Sequence, residues 1–157
     1  MGRYFGTDGI RGKANVTLSA QRAFLTGRYL GYIFSKERKG KILIGKDTRI
    51  SSSMYEMAVA AGATSQGADV YFLGTCPTPA VTYLVLKEKF DCGVMISASH
   101  NPYYDNGIKV FNCNGLKLES SIEDEIEDYL DGKTVIEYAT EDKIGTNIDF
   151  SSGLEEY

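Results

Sequence analysis

Residues 92–111 read CGVMISASHNPYYDNGIKVF, and this stretch decides the fold. Cys92 to Ile96 is a short apolar run bounded by polar residues, which predicts an interior strand. Its carboxyl end delivers Ser97 to His100 into solvent, and in open α/β sheets ligands bind at that end of a strand. Pro102 fixes its own φ and holds Asn101 out of the helical region, so a constrained loop presents Ser99. Asn106-Gly107 suits a tight turn between strands. Ile108 to Phe111 is then predicted as a short antiparallel strand on a mixed edge of the sheet, with Lys109 emerging near the serine.

Outward from this stretch, strands and helices alternate. Thr17 to Phe34 reads as a helix capped by Ser19, with Leu25, Tyr29, Tyr32 and Ile33 on one side. Gly27 and Gly31, four apart, are expected to let it approach the sheet closely. Lys41 to Ile44 is a strand, Lys46 to Arg49 a polar loop, Ser53 to Gln66 a helix rich in small residues, and Asp69 to Leu73 a strand. Thr78 and Pro79 read as N-cap and first position of a helix through Lys87. The alternation predicts an α/β fold: three αβα layers around a mixed, mainly parallel sheet. Ser120 or Ser121 is expected to cap a closing helix, with Glu123 or Asp124 completing a capping box. Its packing stripe is Ile122, Ile126, Tyr129 and Leu130, and the carboxylates between them are expected to face water. Gly9 to Gly12 reads as a glycine-rich turn, and 142–157 as a frayed tail.

At 157 residues one domain is expected. The net charge of −4 and the lack of a dense Lys/Arg tract argue against nucleic acid as a partner. No apolar run approaches membrane-spanning length, and the amino terminus opens on charged and glycine residues, so a cytoplasmic setting without membrane contact is expected. Cys76, Cys92 and Cys113 are odd in number and widely spaced, which predicts reduced thiols with Cys92 in the core.

A serine hydroxyl needs a base, a cation or a metal nearby to act as a nucleophile. Lys109 can move a proton, and His100 can donate to a phosphate oxygen. On the residues alone, Ser-His-Asn-Pro reads first as a polar turn, Arg11 as a solvated arginine, and Lys109 as a solvent-facing strand residue. Asp105 is a weak candidate for the third member of a triad.

The segment Ile96 to Lys109 resembles the phosphoserine loop of the α-D-phosphohexomutase superfamily, in the version found in bacterial phosphoglucosamine mutases. Arg3-Tyr4-Phe5-Gly6-Thr7-Asp8-Gly9-Ile10-Arg11-Gly12 and Ile44-Gly45-Lys46-Asp47-Thr48-Arg49-Ile50-Ser51 resemble the same branch, in the same order along the chain. The resemblance implies that Ser99 is phosphorylated in the resting enzyme and is a magnesium ligand. It implies transfer of that phosphoryl group through a bound hexose bisphosphate, interconverting glucosamine 6-phosphate and glucosamine 1-phosphate. Arg11, His100 and Lys109 carry over as active-site residues, Lys109 for proton transfer; Arg49, which follows a strand and precedes a helix, is placed to support the loop. Phosphomannomutase or phosphoglucomutase chemistry is the near alternative, and a noncatalytic binding domain the distant one.

The resemblance further implies that 1–157 is domain I, with 142–157 a tail or linker, and that domains II, III and IV lie outside it. Domain II of the family supplies an aspartate-rich metal loop, and no Asp-Gly-Asp-x-Asp pattern occurs here. One serine oxygen does not satisfy octahedral magnesium, so the isolated chain is expected to hold the ion weakly and to be inactive.

Overall fold

The computed structural model describes residues 2–157. In chain order the elements are β1 (Ile10–Lys13), α1 (Ala20–Phe34), β2 (Lys41–Lys46), α2 (Ser52–Ser65), β3 (Asp69–Thr75), α3 (Thr78–Lys87), β4 (Cys92–Ile96), β5 (Asp105–Asn112), α4 (Ser120–Leu130) and β6 (Asn147–Asp149), with a closing 3-10 turn at Ser151–Glu156. The strands form one sheet in the order β1-β5-β4-β2-β3-β6. Strands β4, β2, β3 and β6 run parallel, while β5 is antiparallel to both β4 and β1. This is the mixed, mainly parallel sheet that the alternation of elements predicts.

Alternate residues of each strand serve opposite layers. Ile42, Ile44, Cys92, Val94, Ile96, Ile108 and Val110 share a core with residues of α1, α2 and α4. Leu43, Met95 and Phe111 face the other way and pack with Ala80, Val81, Leu84 and Val85 of α3. Helix α1 begins where Ser19 caps it, its hydroxyl accepting from Arg22 N–H at 3.0 Å. The glycines of α1, expected to face the sheet, instead make its contact with α2 possible. A Cβ on Gly27 would stand 2.1 Å from the Val59 carbonyl oxygen, and one on Gly62 would stand 2.0 Å from that of Phe24.

Several expectations are corrected. Asn106-Gly107 is not a turn: both lie in β5, where the buried Asn106 donates to the hydroxyls of Ser51 and Ser52 and accepts from Gly107 N–H. Strand β5 is interior, because Ile10 to Lys13 pairs along its free side as β1, where a turn is expected over Gly9 to Gly12. The tail does not fray: Asn147 to Asp149 adds β6 beside β3, and Phe150 and Leu154 pack on the α3 layer. Helix α3 is capped by Pro77, placing Thr78 inside it. Helix α4 is capped by Glu119 without a side-chain bond, and Glu123 pairs instead with Lys117 at 2.8 Å. Glu123 and Glu127 are buried rather than hydrated, because Glu127 accepts from the backbone N–H of Tyr4 at 2.7 Å and of Phe5 at 3.0 Å. All three cysteines are free, with Cys76 and Cys92 buried and Cys113 exposed. Burial raises the thiol of Cys76 to about 11 and pushes that of Cys92 up as well.

Candidate active site

Strands β2 and β4 are parallel neighbours, so their carboxyl ends open side by side into the segments 47–51 and 97–104. Ser97 N–H donates to the Gly107 carbonyl and Asp47 N–H to that of Ile96, each at 3.0 Å, which fixes the roots of both loops to the sheet. From there the second loop is a succession of tight turns: Asn101 N–H returns to Ala98, and Asp105 N–H to Pro102. Ser99 lies inside the first of these turns with φ +52, in the left-handed region that a residue with a side chain seldom occupies. Its hydroxyl is exposed to solvent.

Arg49 holds that backbone in place. Its guanidinium donates to the carbonyls of Ser99 (2.8 Å), Asn101 (3.1 Å) and Pro102 (2.8 Å). Asp47 orients the guanidinium through Arg49 Nε at 2.9 Å and is itself held by the Ser52 hydroxyl at 2.7 Å. Burial works to raise the Asp47 carboxyl, but hydrogen bonds from Ser52, from the Arg49 N–H, from Ser97 and from the guanidinium outweigh it and leave the group below its ordinary value. Arg49, expected as a support from outside the reacting centre, has that geometry.

Arg11 approaches from the opposite side. On β1 it lies opposite Gly107 of β5. A Cβ at Gly107 would lie 2.9 Å from Arg11 Cγ and 2.7 Å from the Ser97 carbonyl oxygen, so glycine clears the path of this side chain toward the loop. Arg11 Nη2 then donates to Ser99 Oγ and Nη1 to Asn101 Oδ1, both at 3.3 Å. Lys109 projects two residues along β5 from Gly107, on the same face of the sheet as Arg11. It reaches Asp8, with Nζ at 3.5 Å from Oδ1, and Asp8 Oδ2 is 3.8 Å from Arg11 Nη2. A small cleft of about 150 Å³, lined by Thr7, Gly9, Lys109 and Lys117 among others, borders this group.

The structure therefore brings Ser99 and Arg11 together and links Lys109 to Arg11 through Asp8. His100 is exposed beside Ser99 and takes no part in the hydrogen bonds that shape the loop. Asp105 accepts from Asn101 Nδ2 at 3.3 Å and does not orient His100 as a third triad member would. Asp8 was not foreseen. Its one sequence signal is a carboxylate three residues before Arg11, which does not by itself say that Lys109 would arrive from a distant strand.

An exposed serine beside an arginine, with a histidine next in sequence and a lysine joined to that arginine through Asp8, can accept and pass an anionic group, the positive charges offsetting the negative charge in flight. The magnesium expected with Ser99 does not find a cage among the described residues. No cluster of three or more His, Cys, Asp or Glu side chains able to hold a metal exists among the described residues, and Asp47 is committed to Arg49.

Fold and sequence together define a sugar-phosphate mutase domain: residues 2–136 match the family described as phosphoglucomutase/phosphomannomutase, alpha/beta/alpha domain I, and the chain belongs to that family. Within it, the chain is 54% identical over 158 residues to the phosphoglucosamine mutase of Lachnoclostridium phytofermentans, covering 100% of this chain and 35% of that protein. It is 52% identical over 161 residues to the phosphoglucosamine mutase of Lachnospira eligens, with 100% and 36% covered. The chain thus spans about a third of the length of these curated relatives. A phosphoglucomutase/phosphomannomutase family protein of Burkholderia thailandensis has the same fold, with a TM-score of 0.78 over 98% of this chain and 34% of its own, at 22% identity.

Proposed function

We propose that this chain is the phosphoserine-bearing domain of a phosphoglucosamine mutase, which interconverts glucosamine 6-phosphate and glucosamine 1-phosphate. The observation that carries the reading is Arg11 Nη2 at 3.3 Å from the exposed hydroxyl of Ser99. In the reaction a phosphoryl group on Ser99 Oγ passes to a free hydroxyl of the sugar monophosphate. The Ser99 O–P bond breaks, a sugar O–P bond forms, and the sugar hydroxyl gives up its proton. The bisphosphate so formed returns its other phosphoryl group to Ser99 after turning over. Lys109 is the proton carrier in this scheme, Arg11 neutralises the moving group, and His100 contacts the phosphoserine or the sugar.

Arg49 and Asp47 act through the loop and touch neither reactant. Magnesium, expected from the resemblance, takes from this chain the Ser99 oxygen alone, the remaining ligands coming from the part of the relatives that this chain does not span. Separated from those parts, residues 1–157 are inactive, and 142–157, after adding β6 to the sheet, lead toward the next domain. The setting is cytoplasmic, in keeping with free thiols and with no described helix long and apolar enough to cross a membrane.

The test is turnover of the complete protein with glucosamine, glucose and mannose phosphates, beside its Ser99→Ala variant. Preference for glucosamine phosphates, with loss of activity in a folded Ser99→Ala protein, supports the reading. Preference for mannose or glucose phosphates assigns the neighbouring branch instead. Unchanged activity in Ser99→Ala removes the nucleophile.

A further inference from the structure

Asp8 contacts both cations of the site without holding either tightly. Its separations of 3.5 Å from Lys109 Nζ and 3.8 Å from Arg11 Nη2 exceed those of direct hydrogen bonds, and its side chain is 53% exposed. Its position is nonetheless built into the fold. Gly6 N–H donates to the Gly9 carbonyl at 2.9 Å, which makes Thr7-Asp8 the tip of a tight turn. Behind that turn, Gly9 lies flat on β5: its φ is +85, and a Cβ there would stand 2.2 Å from the Ile108 carbonyl oxygen. Ahead of it, Glu127 pins the N–H groups of Tyr4 and Phe5. The carboxylate is thus carried to the two cations by a turn anchored at both ends.

Arg11, meanwhile, keeps unused donor capacity. Its Nε is buried with no hydrogen-bond partner among the described residues, and its two terminal bonds are long, at 3.3 Å. A singly charged carboxylate held loosely between two under-used cations is an arrangement suited to exchange. A phosphoryl group offers more charge and three strong acceptor oxygens to the same donors.

We propose that Asp8 is an internal counterion that occupies the phosphoryl group's place between Arg11 and Lys109 and is displaced when that group arrives. It deepens the reading of Ser99 as a phosphoryl carrier and rests on that reading only for where the phosphoryl group comes from. The exchange itself requires no transfer chemistry. By competing for the cations, Asp8 weakens phosphate binding and speeds its release.

The test is calorimetric titration of inorganic phosphate into the chain and its variants. Asp8→Asn is expected to bind phosphate about fivefold more tightly, the scale set by two weak exposed ion pairs. The gain should shrink in a Lys109→Met background, where one of the competed cations is gone. Asp8→Ser is a second variant that shortens the side chain without bulk. Affinity that is unchanged, weaker or undetectable in both, with circular dichroism matching the parent chain, overturns the proposal. A chain carrying phosphoserine at position 99 separates the sources. If the Asp8→Asn gain vanishes there, the serine-borne group takes the place of Asp8, and if it persists, the free phosphate does. Because Ser99→Ala must retain the Asp8→Asn gain for free phosphate, failure of the mutase reading, seen as activity surviving Ser99→Ala, remains distinct from failure of this one.

Discussion

Arg49 Nη2 donates to the carbonyl of Ser99 over 2.8 Å, fixing the backbone of the residue whose hydroxyl faces solvent. With two further bonds to Asn101 and Pro102, a single guanidinium spans the whole turn. A lysine offers a point charge where this geometry needs a planar fork. Arg49→Lys should therefore lower turnover of the complete protein on the order of 10²-fold through misplacement of Ser99. Steady-state kinetics beside a thermal melt provides the check. An unchanged kcat would show that the loop keeps its shape without the fork.

Gly107→Ala puts a methyl group 2.7 Å from the Ser97 carbonyl oxygen and 2.9 Å from Arg11 Cγ. Crowding at this join of β1, β5 and the serine loop should destabilise the chain by about 1–3 kcal/mol. It should also turn Arg11 away from Ser99. Urea unfolding measures the first effect, and phosphate binding by the variant measures the second.

Gly27→Ala should be destabilising by on the order of 3 kcal/mol, although alanine favours an exposed helix interior by about 1 kcal/mol. The reason is the Val59 carbonyl oxygen, 2.1 Å from the new carbon. Stabilisation of the variant in urea would mean that α1 and α2 separate easily, contrary to their packing here.

Acid should weaken the fold through Asp91 as well as Asp47. Burial acts to raise Asp91, but hydrogen bonds from the Arg38 guanidinium and from Lys41 N–H, with the nearby positive charges, hold it below its ordinary value. Because the carboxyl is depressed in the folded chain, its stabilising contribution is full above the unfolded value of about 3.9. That contribution is lost as pH falls through the lower folded value. Urea unfolding between neutral pH and pH 3 should show a shallower pH dependence for Asp91→Asn than for the parent chain, and equal slopes would contradict the assignment.

Thiol reactivity should divide sharply. Cys113 is exposed, whereas Cys76 and Cys92 are buried with raised thiols. A disulfide reagent at pH 8 is expected to modify Cys113 rapidly in the native chain and the other two only after unfolding. Peptide mapping by mass spectrometry identifies the modified residue.

The serine loop and the α/β alternation were legible because they depend on local order: an apolar strand, a proline, and helices with regular spacing. What escaped depends on partners far along the chain. Asn106-Gly107 has the local preference of a turn, yet Ser51 and Ser52 supply side-chain bonds to Asn106, and Arg11 needs the space over Gly107. Glu127 sits among acidic residues that read as a hydrated helix face. Its actual partners are backbone N–H groups of Tyr4 and Phe5, which carry no side-chain signature. Strand β6 is only three residues long and borders one strand, too short for periodicity to announce it. Asp8 gains meaning only once β1 and β5 are known to be neighbours.

That neighbourhood also sets a timetable. Ile10 pairs with Ile108, the widest sequence span joined in the sheet, whereas β6 returns to β3 over a shorter one. Strand β1 must wait until β5 has been made before it finds its partner, and such long closures are the slow ones. Arg11 meets Ser99 only when that closure happens, so a half-assembled chain carries the serine loop at the end of β4 without the guanidinium beside it.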